Sequence, residues 1–164
     1  LLDMTGLQTV ERSDTISLAA LTEEVFCDLD PVAEKHQIRL IQTEGDCTVT
    51  GSYILLYRAV YNLVENAIKY NRPSGSVTVN IHSAESAVLE VTDTGIGISP
   101  ENQEKIFDPF YRVDKSRSRA MGGAGLGLAL VSEIARQHNG QVKVTQSSEK
   151  GSTIALILPK STDY

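Results

Sequence analysis

One predicted amphipathic helix, between Ser52 and Tyr70, constrains the fold of this chain more than any other feature. Seven apolar residues recur along it at the spacing of one helical face: Leu56, Ala59, Val60, Leu63, Val64, Ala67 and Ile68. Such a stripe has to be covered by other apolar groups, because most of the stability of an amphipathic helix comes from packing. The chain has 164 residues, 41% of them hydrophobic, which is enough for one domain with a sizeable core.

Alternating patterns elsewhere predict the strands that cover this helix. Two segments, 77–82 and 87–91, alternate apolar with polar residues around a short polar connection, which is typical of a β-hairpin. The other predicted strands are 38–41, 48–50, 142–144 and 154–158, and the other predicted helices are 18–32, 99–106 and 126–138. Pro31 complicates the last turns of the first of these helices. The sum is a mixed α/β layer domain.

Charge and cysteine content exclude several classes of protein. The formal net charge is −6 and the pI is about 5.0, which argues against nucleic acid as a partner. Cys27 and Cys47 have no zinc-ligand spacing and form no disulfide framework, so a reduced, cytoplasmic environment fits best. A signal peptide and an apolar run of about 18 residues are both missing, so this piece is not expected to span a membrane.

The polar face of the Ser52–Tyr70 helix carries the first candidate functional group. Asn62, Asn66, Lys69 and Tyr70 follow one another at helical spacing, so their side chains share a face. Amide oxygens suit Mg²⁺, which is commonly bound together with substrate phosphates, and a lysine offers a point charge to those phosphates. The alternative is an ordinary solvated face opposite the apolar stripe.

A second group follows the predicted strand that ends near Asp93. Gly95 and Gly97 allow the backbone to turn sharply and to approach a ligand closely. A carboxylate in this place can accept a hydrogen bond from an exocyclic amine. The alternative is a turn in which the aspartate accepts from its own backbone.

A third group lies between residues 107 and 127. The glycine-rich run 122–127 precedes a helix, so its N–H groups could hold phosphate oxygens, although a linker or a plain helix start would look similar. The segment 107–123 has no sustained period and predicts a long loop, mobile without nucleotide. It contains four cations within eight residues, Arg112, Lys115, Arg117 and Arg119, which suit a cationic lid or an ordinary solvated charge run.

The four stretches 62–70, 93–98, 107–112 and 122–128 resemble, in order and spacing, the N, G1, F and G2 boxes of sensor histidine kinases. The resemblance covers about residues 13 to 160, and Gly151-Ser152-Thr153 is similar to a weaker motif of that family. It implies an α/β two-layer sandwich, the Bergerat fold of the GHKL superfamily, which gyrase-type and Hsp90-type ATPases share. We therefore expect a mixed sheet of about five strands backed by three helices, with a mobile ATP lid.

The resemblance also implies roles for single residues in binding ATP and Mg²⁺. Asn66 resembles the Mg²⁺ ligand with Asn62 assisting, Lys69 resembles a phosphate contact, and Arg112 resembles a cation that reaches the phosphates. These four are the expected catalytic residues, and Tyr70 resembles a ring placed against adenine.

Other positions resemble the walls of the nucleotide site. Asp93 resembles the acceptor for the adenine amino group, and Gly95 and Gly97 resemble a lid hinge. The remaining nucleotide contacts that the resemblance implies are Ile98, Tyr111, Gly123, Gly125, Leu126, Gly127, Leu128 and Thr153. Ala124 departs from the family, in which a hydroxyl residue is common at that place, so one phosphate hydrogen bond is not expected here.

The family resemblance divides the chain into two parts. Residues 1–12 resemble the end of an upstream dimerisation helix and a linker, and residues 13–164 resemble the catalytic ATP-binding domain. The expected activity is transfer of the γ-phosphate of ATP to a histidine outside this chain. The expected partners are the parent protein's own dimerisation and histidine-phosphotransfer domain and a response-regulator receiver domain. The parent protein is expected to be a homodimer anchored at the inner face of the cell membrane.

Two other functions remain open at this point. One is ATP hydrolysis that drives a conformational cycle, but Asn62 stands where those relatives carry a carboxylate, and asparagine is a poor base. The other is a non-enzymatic nucleotide-sensing module, which would not need the set of Mg²⁺ and phosphate residues.

Overall fold

The computed structural model describes residues 14–109 and 127–161. Within these ranges the strands are β1 (Asp14–Ser17), β2 (Arg39–Gln42), β3 (Thr48–Gly51), β4 (Ser76–Ser83), β5 (Ala87–Asp93), β6 (Gln141–Ser148) and β7 (Gly151–Leu158). The α-helices are α1 (Leu18–Lys35), α2 (Tyr53–Lys69) and α3 (Gly127–Gln137). Five strands form one sheet in the order β2-β4-β5-β7-β6, and β1 pairs with β3 in a separate ribbon. The predicted mixed sheet of five strands backed by three helices is confirmed.

The sheet is antiparallel except at one edge. β2 runs parallel to β4, with Leu40 opposite Val77, whereas β4-β5, β5-β7 and β7-β6 are antiparallel pairs. In the β5-β7 pair the end of β5 meets the start of β7, so that Asp93 lies opposite Ser152. Residues directly opposite each other project from the same face of a sheet. This register places Asp93 and Ser152 side by side.

The core lies between the inner face of the sheet and the three helices. The whole predicted stripe of α2 is buried, together with inward residues of the central strands such as Leu89 and Leu156. Ser52 begins α2 by accepting a hydrogen bond at its Oγ from the N–H of Leu55, 3.3 Å away. α1 continues through Pro31 to Lys35, because this proline lies on the exposed side, where water can satisfy the carbonyl that it leaves free.

Two local predictions need correction. The helix predicted for 99–106 is instead a pair of 3₁₀ turns, Pro100–Asn102 and Lys105–Phe107, because Ile106 alone in these turns is buried and gives a longer helix little to pack with. The strand β1 was not predicted, since Ile16 is its one buried side chain and its pairing with β3 is distant in sequence. No helix within the described ranges is both long and apolar enough to cross a bilayer.

A buried histidine closes the N-terminal end of α2. His138 is 3% exposed; its Nε2 accepts from the N–H of Ser52 at 3.1 Å, and its Nδ1 lies 2.8 Å from the carbonyl of Ile134. These partners require a neutral ring with its proton on Nδ1. A Cβ atom on Gly51 would lie 2.5 Å from the ring, so only glycine leaves room for it.

Candidate functional site

The polar face of α2 meets the first turn of α3. Asn62, Asn66 and Lys69 are half-buried on this face and not fully solvated, as an ordinary surface face would be. The Nδ2 group of Asn62 donates to the carbonyl oxygen of Gly127 at 3.3 Å. That contact turns the Asn62 Oδ1 atom away from the Gly127 carbonyl and leaves it available as an acceptor or a cation ligand. The stretches 62–70 and 122–128 therefore lie next to each other at Asn62 and Gly127.

Asn66 and Lys69 keep their polar groups available. Within the described ranges the Asn66 side chain forms no hydrogen bond. The Lys69 Nζ atom is 3.9 Å from the Glu65 carboxylate, and both side chains are more than a quarter exposed, so this ion pair is weak. The same part of the chain holds no group of three or more His, Cys, Asp or Glu side chains that could bind a metal. Asn62 and Asn66 offer amide oxygens on this face, and oxygens of that kind suit a cation that also keeps ligand oxygens and water.

Asp93 is a largely buried carboxylate fixed by two different segments. Its Oδ1 atom accepts from the N–H groups of Gly95 at 2.9 Å and Ser152 at 3.3 Å, and its Oδ2 atom accepts from the Ser152 hydroxyl at 3.1 Å. Burial raises the pKa of Asp93 above its usual value, and these three hydrogen bonds offset part of the rise. Oδ2 has one described donor and can accept a second hydrogen bond. A simple turn would need only the contact between Oδ1 and Gly95, so the carboxylate has an acceptor position left for a ligand.

The hydroxyl beside this carboxylate belongs to Ser152, a residue that was not among the predicted nucleotide contacts, whereas its neighbour Thr153 was. Thr153 lies opposite Thr92, and the two hydroxyl oxygens are 2.9 Å apart on the face of the sheet turned away from Asp93. The structure therefore does not bring Thr153 to the carboxylate. The strand period could have identified Ser152, because it has the same parity as the inward-facing Leu156.

The turn after Asp93 is tightly packed on both sides. A Cβ atom on Gly95 would lie 2.5 Å from the carbonyl oxygen of Tyr70, and one on Gly97 would lie 2.1 Å from that of Ser148. Gly97 also has a φ of +80°, which side chains rarely adopt. Close packing thus accounts for both glycines, and a hinge role for them remains a prediction.

The other predicted positions are only partly described. Tyr70 is the C-cap of α2 and is half-buried, and its N–H donates to the Asn66 carbonyl at 3.1 Å. Ile98 and Leu128 are half-buried and pack against the core, and the N–H of Ile98 donates to the Ser147 hydroxyl at 2.6 Å. The predicted lid 107–123 is described only to residue 109, and five predicted site residues lie outside the described residues: Tyr111, Arg112, Gly123, Gly125 and Leu126.

A family model, curated proteins and solved structures all resemble this chain over most of its length. Residues 51–162 match the family model described as histidine kinase-, DNA gyrase B-, and HSP90-like ATPase. The chain is 37% identical over 99% of its length to the sensor-like histidine kinase SenX3 of Mycolicibacterium smegmatis, and 42% identical over 85% to the sensor histidine kinase RppB of Synechocystis. It spans 44% and 30% of those two proteins. The structure of the mycobacterial sensor histidine kinase MprB superimposes with a TM-score of 0.77 at 28% identity, covering 92% of this chain and 99% of the other.

Proposed function

The chain belongs to the histidine kinase-, DNA gyrase B- and HSP90-like ATPase family, and we propose that it is the catalytic ATP-binding domain of a sensor histidine kinase. In this proposal it binds ATP with Mg²⁺ and donates the γ-phosphate to a histidine on a separate domain. One observation carries the proposal: α2 contacts α3 through Asn62 and contacts the turn after Asp93 through Tyr70. A single rigid helix thereby connects a candidate base-reading carboxylate to a candidate phosphate-binding helix end.

The described side chains divide between the two ends of a nucleotide. Asp93 accepts from the adenine amino group through Oδ2, held in place by Gly95 and Ser152. Asn66, together with the Oδ1 atom of Asn62, would hold Mg²⁺, and Lys69 would approach a phosphate. Bound Mg²⁺ supplies neutralisation of phosphate charge. The amide oxygens fit this ion, which prefers hard ligands and keeps several waters.

The same face argues against rapid hydrolysis of ATP. Asn62 and Asn66 are amides, which are poor bases for activating water. The same helix carries one carboxylate beside these amides, Glu65, and it is paired with Lys69 at 3.9 Å. Phosphoryl transfer by the proposed route depends on positioning and on charge stabilisation, and a separate domain provides the nucleophile.

The partners in this proposal are a second domain of the parent protein and a separate protein. The acceptor histidine belongs to a helical hairpin dimerisation domain of the parent protein, and the phosphoryl group then passes to a response-regulator receiver domain. The identities to SenX3 and RppB, both sensor kinases by name, support this assignment. We further propose that the parent protein is a membrane-anchored homodimer with this domain on the cytoplasmic side.

Radiolabelled ATP tests the proposal in three reactions. The chain is incubated with Mg²⁺ and labelled ATP alone, with the parent protein's helical hairpin, and with a hairpin whose histidine is replaced by glutamine. We expect label on the unaltered hairpin alone, acid-labile and stable to base. Rapid phosphate release by the chain alone would favour the ATPase function, and label on the glutamine variant would exclude histidine as the acceptor.

A further inference from the structure

A buried amide lies where α2 ends and the chain turns towards β4. Asn71 is 6% exposed and all of its polar atoms have partners. Its Nδ2 donates to the carbonyl of Ser76 at 2.9 Å, and its Oδ1 accepts from the N–H of Arg72 at 2.8 Å and from the hydroxyl of Thr94 at 2.9 Å. A side chain this buried, with each of its polar atoms hydrogen-bonded, is held in one orientation.

Thr94 completes a closed set of hydrogen bonds with Asn71 and Ser76. While its hydroxyl donates to Asn71, the same oxygen accepts from the N–H of Ser76 at 2.9 Å. Gly75 makes this approach possible, because a Cβ atom there would lie 2.4 Å from both Asn71 Oδ1 and Thr94 Oγ1. We call Asn71, Ser76 and Thr94 the Asn71 bridge.

The Asn71 bridge joins two segments that already have their own backbone bonds. The turn after α2 is closed by Gly75 N–H to the Arg72 carbonyl at 2.9 Å, and β5 continues its pairing with β4 through the N–H of Thr94 to the Ser76 carbonyl at 3.3 Å. Neither segment needs the Asn71–Thr94 hydrogen bond to form. That bond adds a direct link between the end of α2 and the end of β5, beside the indirect link through Ser76.

Those two ends are the ones that carry the candidate site. Asn71 directly follows Tyr70, and Thr94 directly follows Asp93. We propose that Asn71 and Thr94 are positioning residues that hold the Asp93 carboxylate at the distance from the polar face of α2 that one nucleotide spans. This inference rests on the proposed nucleotide site, since it concerns how the base and the phosphates are bound together. A hydrogen-bond acceptor displaced by a fraction of an ångström loses much of its bond, so such a bridge affects base recognition.

Substitution of Thr94 gives the cleanest test, because this residue is exposed and valine has its shape without the hydroxyl. The probes are ADP and inosine diphosphate with Mg²⁺, which differ in whether the base carries an amino group. We expect Thr94→Val to lower the affinity for ADP about tenfold, the equivalent of one ordinary hydrogen bond, and to change the affinity for inosine diphosphate little. Thr94→Ser keeps the hydroxyl and should restore the preference for ADP.

A second variant separates positioning from simple stabilisation. Asn71→Ala should narrow the preference for ADP over inosine diphosphate at least as much as Thr94→Val does. The double variant should narrow that preference no further than Asn71→Ala alone, because Asn71→Ala already removes the hydrogen bond that the two residues share. An unchanged preference in folded Thr94→Val, or an equal loss for both nucleotides, would overturn the inference and leave the proposed function intact. No ADP binding by the unaltered chain would overturn both.

Discussion

Replacing Asp93 by asparagine changes the chemistry of the candidate base-reading group while leaving its hydrogen bonds in the fold. The amide Oδ1 can still accept from the N–H groups of Gly95 and Ser152, which contact the carboxylate at 2.9 and 3.3 Å. The amide Nδ2 would replace Oδ2 and donate to the Ser152 hydroxyl, now 3.1 Å from the carboxylate, because a hydroxyl can accept as well as donate. We therefore expect Asp93→Asn to fold.

The same substitution places a donor where the adenine amino group also presents a donor. A buried donor left without an acceptor costs about 1–3 kcal/mol, which corresponds to a loss of roughly 5- to 150-fold in affinity for ADP. The affinity for inosine diphosphate should fall less or rise, because its base presents an oxygen in place of the amino group.

Asp93→Asn should not weaken the fold as it weakens ADP binding. Burial raises the pKa of Asp93 above 3.8, so the carboxyl group contributes stability below that value and loses it as the pH rises through the folded-state pKa. At pH 7 the ionised carboxylate thus opposes folding, and a neutral amide should not lower the unfolding temperature. In the unaltered chain, ADP binding should weaken as the pH falls through the raised pKa, whereas binding by Asp93→Asn should show no such dependence.

Calorimetric titration with ADP and thermal unfolding measure both effects. Glu90→Gln is the matched control, because it makes the same chemical change on β5 but on the opposite face, where Glu90 accepts from Asn80. Equal ADP affinity in folded Asp93→Asn and in the unaltered chain would show that Asp93 only stabilises the turn that follows β5. A large loss of unfolding temperature would refute the claim that asparagine preserves the hydrogen bonds.

Three further predictions concern other parts of the structure. Asn66→Ala should weaken calorimetric binding of ATP with Mg²⁺ more than that of adenosine, and equal losses would remove this amide from the metal site. Ser152→Ala should lower ADP affinity and move the pH dependence of binding upwards, because a hydrogen bond to the ionised carboxylate is lost, whereas Thr153→Val should change neither. An effect of Thr153→Val alone would instead support Thr153 as the nucleotide contact. Gly51→Ala should lower the free energy of unfolding by about 1–3 kcal/mol by displacing His138. The same substitution should leave ADP affinity unchanged, because Gly51 lies about 20 Å along α2 from the Asn66 end of its polar face. Normal stability of Gly51→Ala would contradict the clash with His138.

The sequence alone determined the elements whose pattern is local. The stripe of α2 and the alternation within 77–82 and 87–91 each repeat over a few residues, so burial of one face could be predicted without knowing the partner. A candidate site was predictable for the same reason where its residues belong to one element, as Asn62, Asn66 and Lys69 belong to one helix face.

The tertiary structure decided every feature that depends on two distant segments meeting. β1 exists as a strand because β3 pairs with it, and Ser152 rather than Thr153 reaches Asp93 because the β5-β7 register sets which parity faces inward. The contact between Asn71 and Thr94 spans 23 residues and leaves no period in the sequence. Hydrogen bonds across strands and turns depend on register and on close approach, and these are fixed only when the whole core packs.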